Sequence, residues 1–468
     1  MEKETKRNSF KGSIGFVLAA AGSAVGLGNI WRFPYLAAKD GGGLFLAIYI
    51  ILALTFGFAL LTTEIAIGRK TKQSPLTAYG KIKKNWKWLG IAACLVPVII
   101  MPYYCVIGGW VLKYFLLYLT GNGAAAAEDG YFSTFICGNV EPIIMMAIFL
   151  IATAFVIFRG VNKGIESFSK ILMPVLILLV VVIAIFSLTI SYTDTDGITR
   201  TGLEGLKVYV VPDFSGITVK SFFSILLDAM GQLFFSLSVA MGIMITYGSY
   251  VRDDADLGKS INQIEIFDTV VAFLAGVMII PAVYTFSGVE GMQASGPSLM
   301  FISLPKVFAE MGAIGNVVGC LFFAMVLFAA LTSSVSVMEA IVSSLMDEFK
   351  LSRPKAATIE TSLALVVGVI VCLGYNLLYF NITLPNGAEA QILDVMDYIS
   401  NNLLMPVVAI GTCILIGWIA KPKTIVDEVE KSGKKMGRKV LYIAMIKVIA
   451  PIMLIVLLLK SIGILTVI

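Results

Sequence analysis

Three glycines, an asparagine and an arginine interrupt the first long apolar stretch of the chain. In GSIGFVLAAAGSAVGLGNIWRFPYLAA, Gly22, Gly26 and Gly28 fall in the middle and lead directly to Asn29 and Arg32. A glycine in a helix interior costs roughly 1 kcal/mol relative to alanine, so this spacing predicts a break. Broken backbone at membrane depth is tolerated where it lines a cavity, and its free N–H and C=O groups can then bind ions and charged ligands. A kinked packing helix is the alternative, but it leaves Asn29 and Arg32 unexplained.

A second apolar stretch repeats the interruption. GQLFFSLSVAMGIMITYGSYV places Ser236, Ser238 and Gly242 inside an otherwise apolar run. Each of the two interrupted stretches opens a block of five apolar stretches. This arrangement indicates an inverted-repeat transporter whose site lies at the bilayer midplane. Because five is odd, the two blocks have opposite orientations, which favours a carrier over a receptor.

The composition is that of an integral membrane protein. The chain has 468 residues, of which 58% are hydrophobic and 14% charged, whereas soluble domains have about 25% charged residues. A membrane-spanning helix needs about 20 apolar residues, and eleven stretches meet that need. We predict an all-α protein with spans near 12–38, 43–68, 88–119, 140–159, 165–191, 219–250, 262–288, 313–346, 356–380, 391–419 and 440–465.

We expect one polytopic membrane domain covering residues 1–468. Residues 12–191 form the first repeat of five spans, 219–419 form the second repeat, and 440–465 add an eleventh helix. The loop 192–217 between the repeats is rich in glycine and acidic residues, and we expect it to carry a short helix. The fold class is therefore a five-plus-five inverted-repeat, broken-helix transporter with eleven transmembrane helices.

The distribution of lysine and arginine predicts the orientation in the cell membrane. Basic residues concentrate after the second span (Arg69, Lys70, Lys72, Lys81, Lys83, Lys84, Lys87) and between the tenth and eleventh (Lys421, Lys423, Lys431, Lys434, Lys435, Arg438, Lys439). The segments 120–139 and 380–390 contain none. Cytoplasmic loops carry the excess of Lys and Arg, so we expect a cytoplasmic N-terminus and an extracellular C-terminus. The net charge of +5 thus reflects topology rather than nucleic-acid binding.

The start of the chain and the cysteines suggest neither processing nor cross-linking. The start MEKETKRNSFKGS lacks a small-residue cleavage site, so we do not interpret it as a removable signal peptide. Five of the six cysteines lie inside predicted spans, and Cys137 alone lies in an outer loop. No disulfide framework is expected from this distribution.

Five motifs carry a resemblance to a known family. They are AGSAVGLGNIWRFPY (21–35), GGG (41–43), FFSLSVAMG (234–242), LTSSVSVM (331–338) and LDVMDY (393–398). With them the chain resembles the neurotransmitter:sodium symporter family, and in particular its bacterial eleven-span amino-acid transporters. The resemblance extends to residue 465. It implies a sodium-coupled symporter that imports neutral hydrophobic or aromatic L-amino acids by alternating access, and not an enzyme.

The resemblance implies two sodium sites, and a hard cation such as sodium takes oxygen ligands. One site uses the carbonyls of Gly22, Val25 and Ala329 and the hydroxyls of Thr332 and Ser333. The other uses the Ala24 carbonyl, the side chains of Asn29, Ser236 and Asp268, and the carboxylate of the substrate. Hydrogen bonding of Thr332, Ser333 and Ser334 to their own helix is the plainer alternative for these hydroxyls.

Ionisable groups inside a span are costly, and Asp268, Glu64 and Glu339 are three of the acidic residues there. Asp268 falls where the family has an asparagine ligand of the second sodium. Animal members offset the positive charge there with chloride, so we expect Asp268 to supply the negative charge and chloride not to be required. A membrane-edge position for Asp268 is the alternative. By resemblance Glu64 is structural, because the family residue accepts N–H groups at the sixth-span break; Glu339 is the third acid.

The resemblance also implies a substrate pocket beside the two breaks. Gly26 stands where amine-carrying members have an aspartate, which leaves room for a substrate carboxylate near Leu27 and Gly28. Tyr104 is expected to bind that carboxylate, whereas Tyr103 is assigned to packing. The predicted pocket residues are Ser23, Ala24, Gly26, Leu27, Gly28, Ile100, Tyr104, Phe235, Ser236, Ser238, Met241, Ser333 and Val337.

The apolar part of this pocket predicts the preference among substrates. Ile100, Met241 and Val337 line it, and methionine adapts its shape to a ligand. Leucine-transporting bacterial members have phenylalanine and isoleucine in place of Met241 and Val337, so the hollow should be larger here. We rank tryptophan, tyrosine and phenylalanine first, with leucine and methionine behind.

Two gates complete the implied mechanism. Arg32 and Asp397 resemble the outer pair, with Phe235 as the lid ring and Gln232 beside them. Arg7 and Asp347 resemble the inner pair, with Phe10 where the family usually has tryptophan. Gly164 and Pro174 match a pair with which bacterial relatives unwind the fifth span, although a chance spacing explains them equally well.

Other functions remain as alternatives. A proton-coupled amino-acid permease of the same fold is the nearest, but the hydroxyls of Thr332 and Ser333 and the Asn29 amide favour sodium. A channel needs a continuous polar pore, and the interrupted helices here are paired. A membrane enzyme is the alternative of a different class, but the chain has no histidine and no Cys/Asp cluster at metal spacing. The expected partners are an amino acid, sodium ions and the lipid bilayer, while the oligomeric state stays open.

Overall fold

The computed structural model describes residues 9–194, 197–214, 217–292 and 296–465 and is mostly helical. Long apolar runs form the helices because lipid cannot satisfy backbone polar groups, which must therefore bond within each segment. Two spans are interrupted: the first consists of Ser13–Ala24 and Gly28–Lys39, and the sixth of Val219–Ser236 and Ile243–Ser249. The uninterrupted spans are Gly43–Thr71, Lys84–Leu119, Glu141–Phe158, Val161–Thr189, Leu257–Val289, Ala313–Phe349, Arg353–Leu373, Ile392–Ile419 and Lys439–Ser461.

The predicted number of spans is supported in part. Within the described residues, nine helices are long and apolar enough to cross a membrane, and ten if the bent pair of the first span counts as one. The halves of that pair meet at 52°, which confirms the predicted interruption. The broken sixth span lies outside this count, so the total of eleven stays a prediction, as does the division into two repeats.

Short elements connect the spans. They are the helices Pro75–Ile82, Gly123–Ala127, Tyr131–Ile136, Gly202–Val210, Gly296–Ser298, Leu299–Ser303, Leu304–Glu310, Lys423–Val429 and Glu430–Ser432. Two antiparallel hairpins join Ser191–Thr193 to Thr199–Thr201 and Ile382–Thr383 to Glu389–Ala390.

The long outer loop and the end of the ninth span differ from the sequence-based expectation. The short helix predicted within 192–217 is present as Gly202–Val210, but a hairpin that was not predicted precedes it. The ninth helix ends at Leu373 and not near residue 380. Gly374 and the turn after it end the helix, and the Asn376 amide donates to the carbonyls of Cys137 and Gly138.

The outer surface of the bundle is apolar where a bilayer would contact it. Ile151, Ile171, Leu178 and Val366 point outward from the fourth, fifth and ninth spans with more than half of their surface exposed. Such exposed apolar faces on long helices are expected of a protein surrounded by lipid. All six cysteines are free, and Cys137 is exposed as predicted.

Candidate ion and substrate site

The break in the first span is a short segment between two helices. The Ser13–Ala24 helix ends with Val25 N–H donating to Ala21 at 2.7 Å, and the chain then turns through Gly26. Gly26 and Gly28 have no positive φ, so their role is close approach rather than an unusual backbone. A Cβ on Gly26 would lie 2.8 Å from Ser333 Oγ, and one on Gly28 would lie 2.8 Å from the Phe235 ring.

The break in the sixth span has an unusual backbone. Ser238, Ala240 and Gly242 have φ of 52°, 62° and 75°, in a region that side chains other than glycine rarely adopt. The Ala240 N–H donates to Glu64 Oε1 at 2.6 Å. Glu64 thus makes the contact predicted for it, because it satisfies a backbone group freed by the break.

Asp268 joins the two breaks. Its Oδ1 accepts from the Asn29 amide at 2.9 Å and from the Ser236 hydroxyl at 2.7 Å, and its Oδ2 accepts from Tyr49 at 3.2 Å. The residue is fully buried within the helix Leu257–Val289, which argues against the membrane-edge alternative. Ser236 also lies 3.2 Å from Asn29 Oδ1. Four oxygen-bearing side chains from four spans therefore converge at one buried point, which is a donor set that suits a hard cation.

The hydroxyls of the eighth span divide into two groups. Thr332 donates to Phe328 and Ala329 in its own helix, as the plainer alternative had it. Ser333 instead reaches across to the first break, where its Oγ lies 3.2 Å from the Ser23 carbonyl and 3.4 Å from that of Gly22. Val25, whose carbonyl was predicted to bind sodium, is buried in the same region.

A cavity lies between the two breaks. All thirteen predicted substrate residues line it, together with Asn29 and Ile243. Tyr104 is buried, and its hydroxyl lies near Ser333 and the Leu27 backbone. No hydrogen bond of normal geometry satisfies that hydroxyl within the described structure. Because burying an unpaired hydroxyl costs free energy, this group is poised to bond a ligand in the cavity.

The outer side does not show the predicted ion pair. Arg32 is exposed, and among the described residues no carboxylate lies within 4.0 Å of it. Asp397 instead accepts hydrogen bonds from the Tyr103 hydroxyl at 3.1 Å and the Asn401 amide at 2.5 Å. Tyr103 is therefore a polar partner of Asp397 as well as a buried packing residue.

The Phe235 ring separates two cavities. It lines the central cavity and also a larger outer cavity, which Arg32, Asp228 and Lys460 border as well. Gln232 donates to the Gly28 carbonyl at 3.0 Å and so binds the two interrupted spans together near the ring. The position of Phe235 fits the lid expected of it.

The inner side is packed with aromatic rings. Phe10 is buried against Phe16, Tyr247 and Tyr250, and its N–H donates to the Tyr250 carbonyl at 3.1 Å. Asp347 accepts from the Ser74 N–H at 2.7 Å, whereas its predicted partner Arg7 lies outside the described residues.

The fifth span begins with an irregular turn. A π-helical segment, Val161–Glu166, contains Gly164, and the regular helix Ser167–Thr189 that follows it contains Pro174. Gly164 thus lies at the start of this span and Pro174 near its middle, and the role of the predicted pair stays a prediction.

Sequence reasoning missed Tyr49 and Ile243. Tyr49 donates to Asp268, and Ile243 completes the cavity wall. Neither carries a signal in the sequence, because a tyrosine or isoleucine within an apolar span most often packs against other apolar side chains.

Two interrupted spans that meet around a buried carboxylate and a cavity define the class of broken-helix secondary transporters. The sequence matches the sodium:neurotransmitter symporter family over residues 7–140 and 132–467, and the chain belongs to this family. It is therefore a sodium-dependent, multi-pass membrane transporter and not an enzyme.

Similar proteins span nearly the whole chain. An uncharacterised sodium-dependent transporter of Bacillus subtilis, YhdH, is 33% identical over 99% of both chains. Another from Haemophilus influenzae is 32% identical over 91% of both. The crystal structure of MhsT in complex with L-phenylalanine superposes with a TM-score of 0.83, at 34% identity, over 97% of this chain and 100% of the other.

Proposed function

We propose that this protein is a sodium-coupled symporter that imports neutral hydrophobic or aromatic L-amino acids by alternating access. The unpaired hydroxyl of Tyr104, buried at a cavity between two broken helices, carries this proposal. The similarity to MhsT in complex with L-phenylalanine supports an amino acid as the substrate. Among the residues that the structure describes, no lysine, arginine, aspartate or glutamate lines the central cavity, which argues against a substrate with a second charge.

The substrate is held at its polar end by the first break. Its carboxylate lies at the N-terminus of the outer half-helix near Leu27 and Gly28, where the helix dipole favours negative charge. The Tyr104 hydroxyl donates to the same carboxylate. The amine donates to carbonyls of Ala24, Phe235 and Ser236, with the Ser238 or Ser333 hydroxyl close by.

Two sodium ions are carried with the substrate. Gly22, Val25, Ala329, Thr332 and Ser333 supply the oxygens of one site, and Ala24, Asn29, Ser236 and Asp268 supply those of the other. In the second site the substrate carboxylate is a further ligand, so ion and substrate bind together. Asp268 supplies negative charge next to this ion, and transport accordingly needs no chloride.

Alternating access follows from the two gates. The Phe235 ring closes the central cavity from outside, and Arg32 and Asp397 pair when the outer cavity collapses over bound substrate. Phe10, Arg7 and Asp347 seal the inner side. The N-terminus is cytoplasmic and the C-terminus extracellular, as the basic loops indicate.

Uptake into proteoliposomes tests this function. Labelled phenylalanine, tryptophan, leucine, alanine, glutamate and lysine are each offered with an inward gradient of sodium, potassium or protons. We expect uptake of the hydrophobic and aromatic substrates to depend on sodium. Uptake with a proton gradient alone would favour the permease alternative.

In Thr332→Ala and Asn29→Ala the sodium concentration for half-maximal uptake should rise, and unchanged values in both would contradict the site assignment.

The apolar wall sets the preference among substrates, and Met241→Phe tests it. One methylene in such a pocket is worth about 1–3 kcal/mol, so the variant should lose tryptophan before it loses leucine. The measurement is competition of each amino acid against a labelled substrate in wild type and variant. If glycine or alanine competes better than tryptophan in the wild type, the large-pocket interpretation is wrong.

A further inference from the structure

Four charged residues meet at the outer end of the two interrupted spans. We name Lys39, Asp40, Asp228 and Lys460 the outer charge cluster. Asp228 Oδ2 lies 2.9 Å from Lys39 Nζ, and its Oδ1 lies 3.0 Å from Lys460 Nζ. Asp40 lies 3.8 Å from Lys39. One carboxylate therefore joins the outer halves of the first and sixth spans to the last turn of the eleventh.

Asp228 and the lid ring belong to one rigid helix. Asp228 and Phe235 both lie in Val219–Ser236, seven residues apart. Seven residues make nearly two turns, so the two side chains share a face about 10 Å apart. Both also border the outer cavity. Whatever fixes the Asp228 end of this helix therefore also fixes the Phe235 ring between the outer and central cavities.

The eleventh span offers a fixed partner. The Ser461 carbonyl accepts from Tyr398 of the tenth span at 2.8 Å, and Tyr442 lies 2.9 Å from Thr63 of the second. Lys460 is thus held on a helix anchored at both ends. By contrast, Asp228 lies on a helix whose inner end is the strained break. The Lys460–Asp228 pair therefore joins the anchored eleventh helix to the outer half of the interrupted sixth span.

We propose that Lys460 is a positioning residue of the transport cycle, which through Asp228 holds the Phe235 ring over the central cavity. This inference rests on the proposed function, because the ring matters only to a protein that alternates access. Lys460 and Asp228 are 31% and 19% exposed. Partly exposed ion pairs are weak, so we expect a population shift of about two- to fivefold and not an obligatory switch.

Accessibility of the central cavity measures this role directly. A membrane-impermeant thiol reagent is applied to whole cells that express Val337→Cys with Cys137→Ser, which removes the exposed native thiol. Added Lys460→Met removes the charge but keeps most of the stem, and labelling without sodium should become about two- to fivefold faster. Lys460→Arg restores the charge and should keep the parent rate.

A matched control lies on the same side of the protein. Lys306 and Asp129 form an exposed pair at 2.6 Å, away from the outer cavity. Lys306→Met removes a comparable pair and should leave the labelling rate unchanged. Equal rates in Lys460→Met and the parent would overturn the proposal. Equal acceleration by Lys306→Met, or by Lys460→Arg, would overturn it as well.

Uptake separates this proposal from the proposed function. With Val337 and Cys137 intact, Lys460→Met should lower the maximal rate about two- to fivefold without raising KM, because the substrate site is untouched and closure is slowed. Labelling needs no transport. Sodium-driven uptake with unchanged labelling in Lys460→Met would therefore leave the symporter standing and reject the role of Lys460. Absence of sodium-driven amino-acid uptake by the wild type would reject the proposed function, whatever the labelling rates are.

Discussion

The first and sixth spans are both broken at mid-membrane, but by different physical means. In the first span, Gly22, Gly26 and Gly28 have no positive φ, and what they supply is space for neighbouring side chains. In the sixth span, Ser238 and Ala240 adopt positive φ although they are not glycine. Residues held in such regions cost of order 1–3 kcal/mol each and persist only when the surroundings hold them.

The surroundings of the sixth break are visible. Glu64 of the second span accepts from the Ala240 N–H, and the Ser238 hydroxyl donates to the Ser23 carbonyl at 3.0 Å. The first break also receives side-chain hydrogen bonds, from Ser333 to the Ser23 carbonyl and from Gln232 to the Gly28 carbonyl, but it has no positive φ that must be held. A helix can therefore be opened by removing side chains, so that neighbours approach, or by straining the backbone and holding it with hydrogen bonds. The second way ties the opened segment to a fixed helix.

The largest effect should follow from loss of the charge between the two breaks. Asp268→Asn keeps an oxygen ligand but removes the negative charge, so the positive charge of the bound sodium is no longer offset. We expect the sodium concentration for half-maximal uptake to rise more than about tenfold, or ~1.4 kcal/mol, and chloride to restore part of the uptake. Sodium titration of uptake with chloride or gluconate measures both effects. Chloride-dependent uptake by the wild type would contradict this role of Asp268.

The next largest effect should follow from loss of the hydrogen bond that supports the strained sixth break. Glu64→Leu leaves the Ala240 N–H buried without an acceptor, which costs about 1–3 kcal/mol. The melting temperature of Glu64→Leu in detergent should therefore fall. Glu64→Gln keeps an acceptor oxygen, so its melting temperature should fall less. Equal melting temperatures for the two variants would show that the hydrogen bond does not hold the break.

Space at the first break is tested by Gly26→Ala. The new Cβ would lie 2.8 Å from Ser333 Oγ and 3.6 Å from the Tyr104 hydroxyl. Because the backbone is ordinary there, the melting temperature should change little, while KM rises about tenfold, or ~1.4 kcal/mol. Gly12→Ala is the matched control, since nothing lies within 4 Å of its added Cβ. A large fall in melting temperature with unchanged KM would mean that Gly26 serves the backbone instead.

Both breaks could be located from sequence, but their difference could not. Closely spaced glycines and serines within an apolar run indicate where a membrane helix opens. Polar groups and free backbone groups at that depth are tolerated only where they are buried in protein or line a cavity. The sequence does not show whether Gly26 is needed for space or for a positive φ, because the side chain that approaches it, Ser333, is distant in sequence. Ala240 carries no sequence signal of strain, since alanine ordinarily favours a helix.

One polar contact could be predicted from the family resemblance, and others were missed. Glu64 resembles a family residue that accepts N–H groups at the sixth break, so its contact there could be expected. Tyr49 and Tyr103 could not be distinguished from packing residues, because a tyrosine ring suits an apolar span with or without a partner for its hydroxyl. The Arg32–Asp397 pair depends on conformation, and sequence alone does not specify which state is described.

The smallest effect should come from relieving strain at Ala240. Glycine adopts φ near 62° without penalty, so Ala240→Gly relieves the strain but loses one buried methyl group. The free energy of unfolding should therefore stay the same or rise by up to about 1 kcal/mol. Ala152→Gly is the control, because Ala152 is exposed within the regular helix Glu141–Phe158 and should lose roughly 1 kcal/mol there. The two melting temperatures should therefore move apart. If both variants lose stability equally, Ala240 is not strained, and the sixth break is held open by its neighbours' shape, as the first one is.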